Sequence, residues 1–134
     1  MRKNAIFCLA ALLVAVFVCG TAFAAEVKTD FDFVRFAKEM VLKDFHPTVN
    51  LEKVTGGLAE SIYEKEPGII RAKVQLYYSG WIRRHDMLVE IDYKESDKAV
   101  RVNVLNDSNG MNLAGAHIFK DSSKWIPLAT IEWE

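Results

Sequence analysis

The residue pattern predicts an α+β domain, with an N-terminal helix packed on a four- to five-stranded antiparallel meander. Two observations carry this. Residues 69–105 alternate apolar and polar side chains with period two, which puts one face of each strand in a core and the other in water. Residues 29–45 instead repeat apolar side chains at helical spacing, the stripe needed to cover that buried face. A third observation bounds the stability. Both cysteines, Cys8 and Cys19, fall in a leader expected to be removed, so the domain is held by its core without disulfides.

Residues 1–24 read as a secretory signal peptide. Arg2 and Lys3 give a positive start, and residues 5–18 form an apolar run too short for a durable membrane span. Ala22-Phe23-Ala24 makes a small-x-small cleavage box, leaving residues 25–134 as the mature domain. Val18, which is not a small residue, precedes Cys19, and this argues against lipid anchoring. Export without disulfides favours a bacterial periplasm over eukaryotic secretion. Of 17 basic residues, losing Arg2 and Lys3 leaves 15 against 18 acidic ones, a net charge of −3. That excludes nucleic acid and anionic membrane surfaces as main partners. No repeat, low-complexity tract or linker divides residues 25–134, so they form a single domain.

The helix is expected over residues 29–45. Thr29 or Asp30 caps it, Asp32 sits near the positive end of its dipole, and His46-Pro47 stops it. Its stripe is Phe33, Phe36, Ala37, Met40, Val41 and Phe45. Residues 49–66 are ambiguous. Leu51, Val54, Leu58 and Ile62 have helical spacing, but Gly56-Gly57 interrupts them at about 1 kcal/mol per glycine. The alternative is a loop and a short strand near residues 58–65, turned by Pro67-Gly68 into the meander.

In the meander, Ile70, Ala72, Val74, Leu76 and Tyr78 share one face of the first strand, and Met87, Val89, Ile91 and Tyr93 one face of the second. A turn at Ser79-Gly80 would set Leu76 against Arg83. A turn at Arg83-Arg84-His85-Asp86 keeps the apolar faces together, pairing Ile82 with Met87, Gly80 with Val89, Tyr78 with Ile91 and Leu76 with Tyr93. Glu95-Ser96-Asp97-Lys98 then pairs Tyr93 with Val100, Ile91 with Val102 and Val89 with Val104, and sets Asp92 opposite Arg101 on the outer face. After the turn at residues 106–110, residues 111–119 read as a fourth strand. Residues 125–133 read as a fifth, with Pro127 on an edge.

No nucleophile elbow, metalloprotease helix, phosphate loop or dinucleotide fingerprint occurs. His46, His85 and His117 share no metal-ligand spacing, so neither a metal nor a cofactor is implied. Asp107-Ser108-Asn109-Gly110 opens like a calcium loop but is closed by no glutamate. The register instead gathers Arg83, Arg84 and His85 at one sheet end with residues 106–109. On the outer face beside them lie Tyr77, Trp81, Leu88 and Leu105, with Trp81 and Leu88 as direct partners. Arginine beside aromatic and apolar side chains is the usual anchor composition of protein contacts.

A helix followed by an antiparallel meander resembles the cystatin-like sheets that wrap a helix. The likeness lies in the order of elements, and fold likeness alone licenses no function. The inhibitory Q-x-V-x-G loop of cystatins has no counterpart, since Gln75-Leu76-Tyr77-Tyr78-Ser79-Gly80 has other spacing and lies within a strand. The expectation is an exported, non-enzymatic binding protein that engages a protein or small ligand through Trp81, Arg83, Arg84, His85, Leu88 and Leu105. The alternatives are a small enzyme or lipophile carrier with a cavity between helix and sheet, and a homodimer joined through the outer face.

Overall fold

The computed structural model describes residues 27–80, 82–110 and 116–133. The expected leader and residues 111–115 lie outside them. Within the described residues the chain is α+β, with one short helix and an open antiparallel sheet of six strands. No helix among them is long and apolar enough to cross a membrane.

The helical run covers residues 33–45 in three pieces: α1, Phe33–Phe36; a π-helical turn, Ala37–Leu42; and α2, Lys43–Phe45. It starts four residues later than the apolar spacing suggested because Asp32 is the cap. Asp32 has extended backbone, and its carboxylate accepts the Arg35 N–H at 3.0 Å. The run stops at His46, ahead of Pro47. The π turn bonds one residue further along than an α-helix, which changes the side chains that point inward. Leu42 is fully buried and Met40 only half-buried, whereas the α-helical stripe assigned the inward place to Met40.

The strands are β1, Thr55–Leu58; β2, Tyr63–Glu66; β3, Ile69–Ser79; β4, Arg84–Lys94; β5, Ala99–Asp107; and β6, Ile126–Pro127. Their order is β1-β3-β4-β5-β6, with β2 following β1 along the same edge of β3. The ambiguous stretch 49–66 therefore resolves into a 3-10 turn, Leu51–Lys53, and two short strands. Gly56 belongs in β1 because a Cβ there would lie 2.5 Å from the Gln75 carbonyl oxygen. Pro67-Gly68 makes the turn from β2 into β3, with Gly68 at φ 82°.

The first hairpin corrects the expected turn. β3 and β4 pair Leu76 with Met87, Tyr78 with His85 and Ser79 with Arg84. The chain turns through residues 80–83, closed by the Gly80 N–H donating to the Arg83 carbonyl at 2.8 Å. The slip moves each partner by an even number of residues, so the expected inner and outer faces survive. Ile82, expected inside against Met87, is instead exposed in the loop. The second hairpin keeps the expected pairs Tyr93–Val100, Ile91–Val102, Val89–Val104 and Asp92–Arg101. A bulge between Leu88 and Val89 then sets Met87 against Asp107, not Asn106.

The C-terminal strands are shorter than their hydrophobicity suggested. Residues 116–119 form no strand. The buried Asp44 carboxylate holds this segment by accepting the N–H groups of His117, Ile118 and Phe119 at 3.0–3.1 Å. β6 pairs only two residues with β5 before a 3-10 turn, Leu128–Ile131, leads to Trp133. Phe119 and Trp133 both meet Phe36 edge-on, at 5.7 and 5.2 Å between ring centres. One apolar cluster joins the helix (Phe33, Phe36, Val41, Leu42, Phe45) to the inner face of the sheet. Each large side chain in it contributes roughly 1.5–3 kcal/mol.

Candidate binding end of the sheet

The β3–β4 hairpin end joins two surfaces of opposite character. Inside, the parity of β3 and β4 points Tyr78 and His85 toward the core, and the bulge swings Asp107 in beside them. The end of the helix adds His46. The Tyr78 hydroxyl donates to Asp107 Oδ1 at 2.6 Å, and His46 Nε2 donates to Asp107 Oδ2 at 2.6 Å. The Asn109 N–H adds a third bond to Oδ1 at 3.1 Å. Burial pushes the Asp107 carboxyl up, but the bonds from His46, Tyr78 and the Asn109 N–H outweigh it, and its pKa lies below the usual carboxylate range. Burial, then the bond to Asp107 and its charge, push the Tyr78 phenol well above its ordinary value.

His85 lies against Tyr78, its ring centre 5.6 Å away. Ser108 Oγ sits 3.2 Å from His85 Nδ1 and accepts the Asp86 N–H at 2.9 Å. Gly80 is required over this ring, since a Cβ there would come within 2.5 Å of the His85 Cδ2. No fully buried side-chain nitrogen or oxygen among the described residues lacks a partner. The inner face had been expected to be almost entirely apolar. Nor do three histidine, cysteine or acidic side chains converge as a metal site among the described residues.

The outer surface of the same end carries Tyr77 and Leu105, 44 % and 43 % exposed, with Leu88 half-buried beside them and Ile82 87 % exposed in the loop. Leu88 faces Gln75, which replaces its expected pairing with Trp81. Arg84 reaches across Tyr77, 5.7 Å from its ring centre, and donates to Thr55 Oγ1 at 3.1 Å. Arg83 is exposed in the loop.

Of the residues singled out from sequence, Arg84, Leu88 and Leu105 thus share the outer surface, with Arg83 at its margin. His85 is a correction. Placed in the turn by the sequence register, it stands inside β4 on the opposite face. Trp81 lies outside the described residues. His46, Tyr78 and Asp107 were missed as a group. The proline after His46 and the turn signal after Asp107 marked element ends, but neither marks a bulge.

Further along the outer face the character changes to paired charge. The Asp92 carboxylate takes two bonds from Arg71, at 2.7 and 3.0 Å, and two from Arg101, at 2.9 and 3.3 Å. Burial pushes the Asp92 carboxyl up, and the two guanidiniums more than reverse it. Trp125 covers Arg101 and Lys94 at about 4.5 Å. The apolar exposure of the outer face is therefore confined to the hairpin end.

The chain matches no protein-family model, no curated protein and no solved structure.

Proposed function

We propose that this is an exported binding protein that engages a protein partner through the outer surface of the hairpin end. Tyr77, Ile82, Leu88 and Leu105 form the apolar centre of the contact, and Arg83 and Arg84 its basic rim. One observation carries the reading. Three of the four large apolar side chains most exposed among the described residues, Tyr77, Ile82 and Leu105, belong to this end, and the fourth, Leu58, is on the adjoining β1. An apolar centre with an arginine rim is what a partner's buried anchors require. Export, removal of residues 1–24 and a periplasmic setting are part of the proposal and rest on the leader pattern. The finer, cystatin-like description of the fold is also part of the proposal, supported by the core that helix and sheet share.

The test is capture from a periplasmic fraction by immobilised protein, with Ile82→Ser/Leu105→Ser and Trp81→Ala/Arg84→Ala as comparisons. The proposal expects each pair to lose about tenfold or more in capture. It also expects melting temperatures within about 3 °C of the parent. Equal capture, or a parallel collapse in stability, would contradict it. Concentration-dependent light scattering separates a second copy of the chain from a different partner.

The inner cluster of Tyr78, His46 and Asp107 favours the second reading, a small enzyme working between helix and sheet. Against it, both Asp107 carboxylate oxygens, the Tyr78 hydroxyl and His46 Nε2 are already bonded within the protein.

A further inference from the structure

The far end of the sheet carries a groove of about 1000 Å³, unrelated to the hairpin end. Its borders are the approach to the helix, the β4–β5 turn and the C-terminal 3-10 turn. Its floor is aromatic. Phe31 stacks on Tyr93, with ring centres 4.4 Å apart and planes 8° from parallel, and Trp133 lies beyond them. The side walls are Pro127, Leu128 and Ala129.

The rim is acidic. Asp30, Asp32, Asp97 and Glu132 border the groove against Arg35 and Lys98. Several of these charges are occupied. Arg35 pairs with Glu39 at 3.1 Å, Asp97 with Lys94 at 3.5 Å, and Asp32 caps the helix. Asp30 and Glu132 meet no cation, and Lys98 no anion, within salt-bridge distance among the described residues, which leaves the free rim charges net negative. The Arg35 guanidinium lies 4.4 Å over the Trp133 ring and Phe31 covers Tyr93, so the half-buried Phe31 is the aromatic side chain of this floor that remains open.

We propose that this groove binds a basic peptide segment of a partner, seating an arginine or lysine side chain between Asp30 and Glu132, beside the half-buried Phe31 ring. Charge selects the class. An acidic rim repels phosphates and anionic lipid headgroups and attracts ammonium and guanidinium groups. Size selects a peptide over a small cation, since a groove of about 1000 Å³ takes several side chains. The rim is also fixed in place. Lys98 and Glu132, at φ 45° and 52°, are the non-glycine residues with left-handed backbone among those described. The Lys98 carbonyl is tied to the Leu128 N–H at 2.9 Å. The field reaches the floor as well. Burial, with the charges of Glu95 and Asp30, holds the Tyr93 phenol above its ordinary pKa.

The purified protein is titrated with acetyl-Leu-Arg-Leu-Arg-amide, with acetyl-Leu-Glu-Leu-Glu-amide and with tetraethylammonium, followed by amide and indole chemical shifts. The expected result is saturable shifts at Phe31, Tyr93 and Trp133 with the arginine peptide alone. Binding weakens with salt, and about fivefold in Asp30→Asn/Glu132→Gln at unchanged melting temperature. Equal binding of the glutamate peptide, shifts centred on the hairpin end, or an unaltered affinity in the double variant would overturn the proposal. So would tetraethylammonium binding as tightly as the peptide, which would make this a small-cation site.

Discussion

The two surfaces of the hairpin end invert the usual arrangement. Inside, where apolar groups are expected, Tyr78, His46 and Asp107 form a polar cluster. Outside, where polar groups are expected, Tyr77, Ile82 and Leu105 stand in water. The difference lies in satisfaction. The Asp107 carboxylate oxygens, the Tyr78 hydroxyl and His46 Nε2 are bonded to one another, and removing one strands the others at the cost of desolvation. The outer side chains have nothing to lose within the fold. If the proposed contact is right, inner residues serve stability and outer residues recognition, and changes on the two sides should separate cleanly.

The largest effect is expected from Asp107→Ala. It removes the acceptor shared by Tyr78, His46 and the Asn109 N–H, and should cost about 3–5 kcal/mol in urea unfolding. Capture per folded molecule should be unchanged. A loss below about 1 kcal/mol would mean the cluster is not a clamp.

Acidification should act on the same group. The Asp107 carboxyl titrates below its unfolded value, so its contribution is fully present above that ordinary value and is lost as pH falls through the depressed one. Asp92 is depressed too and adds to the same acid limb. Asp107→Asn should flatten part of this limb and leave the Asp92 part. An unchanged acid profile in that variant would remove Asp107 from the account. Tyr78→Phe deletes the hydroxyl's bonds to Asp107 and His46 Nε2 and keeps the ring, and should cost about 1–2 kcal/mol by thermal or urea unfolding. The smallest effect on stability should come from Ile82→Ser/Leu105→Ser, within about 0.5 kcal/mol per site, because exposed side chains away from special features rarely matter to the fold.

The faces of the sheet were legible in the sequence because side-chain alternation fixes them and an even slip leaves them intact. For the same reason alternation could not choose between a turn at residues 80–83 and one at Arg83–Asp86, since both keep Leu76 and Met87 inside. That choice moved Ile82 outward and took His85 from loop to strand. Asp107 was not legible at all. One bulge reverses parity, and nothing in Leu105-Asn106-Asp107 announces it. Gly56-Gly57 read only as an interruption of a helix, because what requires Gly56 in β1 is a tertiary contact, the backbone of Gln75. The candidate surface was legible in part. Leu88 and Leu105 lie on the outer face as the alternation places them, Arg84 moves from the expected turn into β4, and the polar cluster behind them depends on the bulge and on the end of the helix.

The most direct test of the division between the two surfaces is partner capture by Ile82→Ser/Leu105→Ser, normalised to folded protein. The account predicts that capture falls about tenfold or more while the urea midpoint stays with the parent. Capture retained at the parental level would contradict it.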